Sequence, residues 1–257
     1  MTFTIENLEF LLAILIRVAG FVMTAPFYGL RNIPQRAKLL LSIAVAVVVF
    51  CVLPYEPLQY RGVIGYASLI LMEAVAGMIL GLFANLAYYV LQLAGQLADM
   101  EIGLSMVTEI DPTSRMQVTI TSSLLNYAVM LTMVATNLHL FVLRAVIDSF
   151  TLVPVGGVRL APNLYESYLG FLLDYMVLGF RIVLPVFAAM LVVNTVLGIL
   201  AKAAPQLNMF VIGYQLKIFV GLAVLTLIIL NLPGIADTIF DKMIEMMRTA
   251  VAYMMPG

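Results

Sequence analysis

The chain has 257 residues, 63% of them hydrophobic and only 11% charged, with a formal net charge of −1 and a mean hydropathy of +1.09. That balance excludes a water-soluble globule, and the scattered basic residues carry no electrostatic footprint for nucleic acid. A single cysteine, Cys51, and a single histidine, His139, exclude an internal disulfide and leave no set of residues for a metal or nucleophilic site.

Six apolar runs read as membrane-span candidates: Leu8 to Phe27, Leu39 to Leu53, Ile64 to Leu97, Val118 to Leu143, Leu169 to Leu200 and Met209 to Leu232. A bilayer core needs about 20 apolar residues per helix. The second run is short, while the third and fifth are too long for one upright span and must tilt, break or extend beyond lipid. Glu6 and Glu9 precede the first run, with no basic stretch or small-residue cleavage site, so that run is expected to stay in the mature protein. Arginine and lysine vote weakly on orientation: Arg31, Arg36 and Lys38 favour a cytoplasmic first loop, whereas Arg61, Arg159, Lys242 and Arg248 would then fall outside.

The first run carries Arg17. A cation within an apolar run faces a partner or an aqueous space, and Glu73 is a carboxylate that could pair with it. Pro26 and Pro34 mark bends, since proline disfavours helix in the residue before it. In the third run Glu73, Gly77, Gly81 and Asn85 recur every four residues, and Gln92, Gln96 and Asp99 extend the polar content along one helix face. Small residues at that spacing let another helix backbone approach, and such a stripe wants protein or water beside it.

Between Asp99 and Arg115 stands DMEIGLSMVTEIDPTSR, with four carboxylates and breaks at Gly103 and Pro112. Irregular backbone joining two hydrophobic segments persists where protein covers it or where it lines a water-filled cavity. A gate or lining element is the first expectation, and a solvated acidic turn is the bland one. The fourth run holds Asn126, His139 and Arg144; His139 reads as a hydrogen-bonded structural residue. Pro154-Val155-Gly156-Gly157 is a loop. In the fifth run Asp174 and Arg181, seven apart, are expected to share a face and pair directly or through water, and Pro185 is a potential kink. Ala204-Pro205-Gln206-Leu207-Asn208 is a second polar break, either a helix-hairpin turn or a subunit contact. From Pro233 the pattern becomes amphipathic, with Asp237, Asp241 and Glu245 on one face and Ile235, Ile239, Met243 and Met246 on another. The acidic face suits packing on protein better than on anionic lipid. With no repeat and no low-complexity linker, the chain reads as one all-α unit, a hydrophobic helical core over 1–232 and an amphipathic helix over 233–257.

No GxGxxG, Walker, HExxH, CxxC or GxSxG pattern is present, so no catalytic or cofactor site is expected. A secondary transporter would show corresponding broken helices in two halves. The breaks at Gly103 to Asp111 and Ala204 to Asn208 do not correspond.

Arg17-Val18-Ala19-Gly20 with Ala25-Pro26-Phe27, Gly77-Met78-Ile79-Leu80-Gly81, Gln92-Leu93-Ala94-Gly95, Ile102-Gly103-Leu104-Ser105-Met106 with Asp111-Pro112, Ser149-Phe150 with Pro154-Val155-Gly156, and Ala204-Pro205-Gln206-Leu207-Asn208 resemble, in order and spacing, the FliR family of flagellar type III export-gate proteins. The resemblance runs nearly the whole length. It implies one subunit of a helical hetero-oligomer with FliP and FliQ, with FlhB wrapping the closed gate and FlhA around it. It also implies the bacterial inner membrane and flagellar basal body, with much of the assembly raised towards the periplasm. Unfolded export substrates would pass through the channel. Gly103, Leu104, Ser105, Met106, Val107, Ile110, Asp111 and Pro112 correspond to the family's channel plug, with Leu104, Met106, Val107 and Ile110 as occluding groups and Gly103 and Pro112 as its ends. Arg17, Glu73, Gly77, Gly81, Asn85, Gln92, Gln96, Pro205, Gln206 and Asn208 are expected to serve subunit packing. A virulence-type secretion subunit is the near alternative, and a small-molecule or ion transporter the distant one.

Overall fold

The computed structural model describes residues 4–30, 32–106, 108–110, 117–206 and 208–255. It is an all-α membrane protein of eight helices among the described residues: α1 (Ile5–Thr24), α2 (Gln35–Val52), α3 (Gly62–Ile102), α4 (Ile120–Ala135), α5 (Leu138–Leu152), α6 (Leu164–Ala203), α7 (Met209–Leu230) and α8 (Leu232–Ala252). Five helices are long and apolar enough to cross a bilayer, or up to six spans if the bent pair α4 and α5 is taken as one.

Local chemistry sets the boundaries. Thr4 caps α1 by accepting from the Asn7 amide at 3.4 Å, and the helix stops at Ala25, before Pro26. Phe10, Ala13, Ile14, Arg17, Val18, Phe21 and Val22 form its buried face at three- and four-residue steps. Pro34 opens α2, where its missing amide hydrogen costs nothing. α3 runs unbroken for 41 residues, and α6 runs for 40 residues through Pro185. The fourth apolar run is not one helix: Asn137 adopts φ 58 and divides α4 from α5. Asparagine tolerates this left-handed geometry better than its apolar neighbours. Between α3 and α4 the chain also forms a short 3₁₀ turn, Leu104–Met106, and an antiparallel ribbon of β1 (Thr108–Ile110) and β2 (Gln117–Thr119) with Thr108 opposite Thr119. Apolar spacing carried no sign of that ribbon.

The chain divides into two compact units, residues 1–87, 137–172 and 240–257 in the first and 88–136 and 173–239 in the second. In the first, Ile14, Phe21, Leu80, Val146 and Phe150 join Met243, Met246 and Met247 of α8 in the core. The amides of Arg159 and Ala161 donate to the carbonyls of Met254 and Tyr253, fixing the chain end. In the second, Leu91, Ala98, Ile102, Leu125, Val183, Val186 and Met190 are buried. On α8, Asp237, Asp241 and Glu245 are exposed while Ile239, Met243 and Met246 are buried, the amphipathic division read from the sequence, with Ile235 at the helix start only half-buried.

Candidate functional site

Two buried carboxylates lie on α3, one in each unit, and each organises its own set of neighbours. In the first unit Glu73, fully buried, meets Arg17, 1% exposed. The Arg17 Nε donates to Glu73 Oε2 at 2.5 Å and Nη2 donates to Oε1 at 3.1 Å. Nη1 and Nη2 also donate to the carbonyls of Val153 and Pro154 at 2.9 and 3.3 Å. The Gly156 amide, at a residue with φ 81, donates to Glu73 Oε1 at 2.7 Å. The Phe150 ring lies under the guanidinium, 4.2 Å from its carbon. A buried charge pair persists when its remaining donors and acceptors are filled, and here the α5–α6 loop fills them. The pair therefore ties α1, α3 and that loop together inside the chain.

The four-residue stripe has the same neighbour. A side chain at Gly77 would collide with the Arg17 carbonyl, and one at Gly81 would come within 2.8 Å of the Ala25 amide. From the other helix, a Cβ at Gly20 would stand 2.7 Å from the Ala74 carbonyl. Asn85 Nδ2 donates to the Thr24 carbonyl at 3.1 Å. The helix that approaches these small residues is α1 of the same chain. Nearby, Tyr28 donates to the His139 carbonyl at 2.8 Å, and burial pushes its phenol up to about 12. The His139 ring packs 5.5 Å from Phe27.

In the second unit Asp99 is fully buried in the last turn of α3. Its Oδ2 accepts from the Thr121 amide at 2.9 Å and its Oδ1 from the Thr121 hydroxyl at 2.5 Å. Thr121 lies in the first turn of α4, where backbone amides lack helical partners and the helix dipole favours an anion. Asp99 therefore caps α4 from a different helix, and the carboxylate closes the root of the segment between them. Two further contacts reinforce that root. Ser122 Oγ donates to the Gln92 carbonyl at 3.0 Å, and Gly95 lies against the Ser122 backbone so closely that no Cβ fits. The Gly103 amide donates to the Asp99 carbonyl at 3.0 Å, and Gly103 sits at φ 97, where glycine avoids strain. Ile102 is buried against Gly221 of α7, where a Cβ would stand 2.6 Å from it.

The expected plug residues are placed unequally. Leu104 is half-buried, Ser105 is exposed, and Met106 closes the 3₁₀ turn. Ile110 ends β1. Val107, Asp111 and Pro112 lie outside the described residues. Gln92 and Gln96 are half-buried on α3. Pro205 and Gln206 are exposed in the α6–α7 turn, and Asn208 caps α7 by accepting from the Phe210 amide at 3.2 Å. Asp174 and Arg181 are both exposed and, among the described residues, form no ion pair. Seven residues of helical rise set them roughly 10 Å apart, beyond direct contact.

Thr121 and Ser122 escaped the sequence reading, although serine and threonine opening a helix are a capping signal. Among the described residues, Thr119 Oγ1 just before α4 and Ser123 Oγ and Asn126 Oδ1 within it are buried without a hydrogen-bond partner. No group of three His, Cys, Asp or Glu able to hold a metal ion occurs among the described residues.

The sequence profile described as bacterial export proteins, family 1, matches residues 8–243. Flagellar biosynthetic protein FliR of Buchnera aphidicola subsp. Acyrthosiphon pisum is 29% identical over 236 residues, covering 91% of this chain and 90% of its own. FliR of Escherichia coli K12 is 26% identical over 240 residues, 93% of this chain and 91% of its own. FliR of Bacillus subtilis 168 is 29% identical over 247 residues, 94% of each.

Proposed function

This chain belongs to the bacterial export proteins, family 1, and we propose that it is a core subunit of the flagellar type III export gate, forming and closing the channel through which unfolded substrates pass. Its partners in this reading are FliP and FliQ in one hetero-oligomer, with FlhB and FlhA around it. The assembly sits in the inner membrane at the flagellar basal body, much of it raised towards the periplasm. The flagellar branch is preferred over a virulence-type apparatus because the relatives above are named flagellar biosynthetic proteins.

The observation that carries the closing role is the root at Asp99 and Thr121. A segment whose two ends are held by a buried carboxylate at a helix N-terminus is presented from fixed points, with Gly103 as a turning residue just inside. Leu104, Met106, Val107 and Ile110 supply an apolar patch that excludes water and ions, as hydrophobic constrictions do. Ser105 is exposed, and in this reading Gly103 and Pro112 are the flexible and rigid ends. The mechanism is passive: substrate displaces the segment, and the driving energy is applied elsewhere in the apparatus.

Ion conductance of the assembled gate tests this. Met106→Gly combined with Ile110→Gly should raise resting leakage roughly tenfold, the factor that about 1.4 kcal/mol of lost sealing contact represents. Unchanged leakage in a fully assembled gate rejects the assignment.

A further inference from the structure

We propose that the groove between the end of α3 and the middle of α6 seats an apolar helix of a different export subunit, which presents one lysine or arginine to Glu101. The proposal rests on the reading of the chain as a subunit of a hetero-oligomeric gate. The groove measures about 620 Å³ and is lined by Glu101 and by Leu184, Phe187, Ala188, Leu191 and Asn194 of α6, all in the second unit.

Its α6 wall has the geometry that receives a helix. Leu184, Phe187, Leu191 and Asn194 follow one another at steps of three, four and three, which is the spacing of a seam packed knobs-into-holes against a neighbour. Leu184 and Leu191 are 62% and 68% exposed and Phe187 is half-buried, so the described residues leave the two leucines of the seam uncovered. An asparagine within such a seam fixes register against an amide or charge on the facing helix.

Chemistry then separates the possible occupants. Water would leave the seam leucines and Phe187 wet, although burying each large apolar side chain contributes about 1.5–3 kcal/mol. Lipid chains would cover the leucines but leave the Glu101 carboxylate and the Asn194 amide against hydrocarbon, where neither finds a partner. Among the described residues the ion pairs are Arg17 with Glu73, Arg144 with Asp148, and Lys242 with Glu245, so no described cation pairs with Glu101. An apolar helix carrying a single cation satisfies the leucines, the amide and the carboxylate together. Because Glu101 stands two residues before Gly103, that helix would dock beside the segment that closes the channel.

The test uses the full chain co-expressed with the other export subunits in native membranes, with a photo-crosslinking amino acid at Leu191. Irradiation should join this chain to an apolar helix of another subunit. Glu101→Lys should cut the adduct yield roughly tenfold, the size expected when a charge pair is turned repulsive. Reversing the facing lysine or arginine to glutamate should restore it. If Glu101→Lys prevents accumulation of the chain, Glu101→Gln and Ala188→Trp, which keep or fill the groove without charge reversal, should each weaken the same adduct. An adduct to lipid alone, an adduct to a second copy of this chain, or a protein adduct indifferent to these changes overturns the proposal. The mass of the purified complex separates the two readings: a hetero-complex without the Leu191 adduct sinks only the groove, whereas no hetero-complex sinks the gate reading itself.

Discussion

Glu73 and Asp99 are carboxylates on one helix, both fully buried, yet they are stabilised in opposite ways. Glu73 is matched by a full guanidinium charge and by the Gly156 amide, and that guanidinium also satisfies the carbonyls of Val153 and Pro154. Asp99 has no cation among its partners and relies on the amide and hydroxyl of Thr121 at a helix start. The first arrangement is complete, because every charge has its counter-charge inside the chain. The second holds a carboxylate with the dipoles of one amide and one hydroxyl alone. A region meant only to hold shape is served by the first design. The second ties the end of α3 to the start of α4 through a single residue, Thr121.

The contrast can be broken first at Arg17. Arg17→Met leaves Glu73 buried without its counter-charge and should cost about 3–5 kcal/mol, read as a large fall in the unfolding temperature of the purified chain in detergent. Adding Glu73→Leu removes the stranded charge and should recover part of that loss. Full recovery is not expected, because Val153, Pro154 and Gly156 would lose their partners. A single variant as stable as the parent would mean that the pair does not hold the unit together.

A smaller effect is expected at Asp99. Asp99→Ala orphans the Thr121 amide in the first turn of α4 and should cost roughly 1–3 kcal/mol, with Asp99→Asn in between because its side-chain oxygen still accepts. Hydrogen exchange at the α4 N-terminus would localise the change. Loss of protection spread evenly over the chain would contradict a local capping role.

These residues also mark what the sequence could tell. The partnership of Arg17 with Glu73 was legible because so few charges interrupt the apolar runs that they had few alternatives. The stripe of Gly77 and Gly81 announced a close helix approach, but spacing says only that a backbone comes near; that it belongs to α1 depends on the tertiary fold. The faces of α8 followed directly from periodicity. By contrast, Asp99 and Thr121 are joined across 22 residues, and no local pattern ties a helix end to the start of the next. The carbonyls of Val153 and Pro154 were invisible for another reason, since a backbone acceptor leaves no mark on residue type. Asn137 reads as an ordinary polar residue until its left-handed backbone divides the fourth run. Asp174 and Arg181 share a face as expected, yet seven residues of rise keep them apart.

The central claim is that this hydrophobic chain completes its surface with other polypeptides. Co-expression with FliP and FliQ, followed by mass measurement of the purified product, tests it most directly. The account predicts one large particle containing different chains, with this subunit held stably inside it. Recovery of this chain as a monomer or a small symmetric oligomer, while FliP and FliQ assemble without it, would contradict the account.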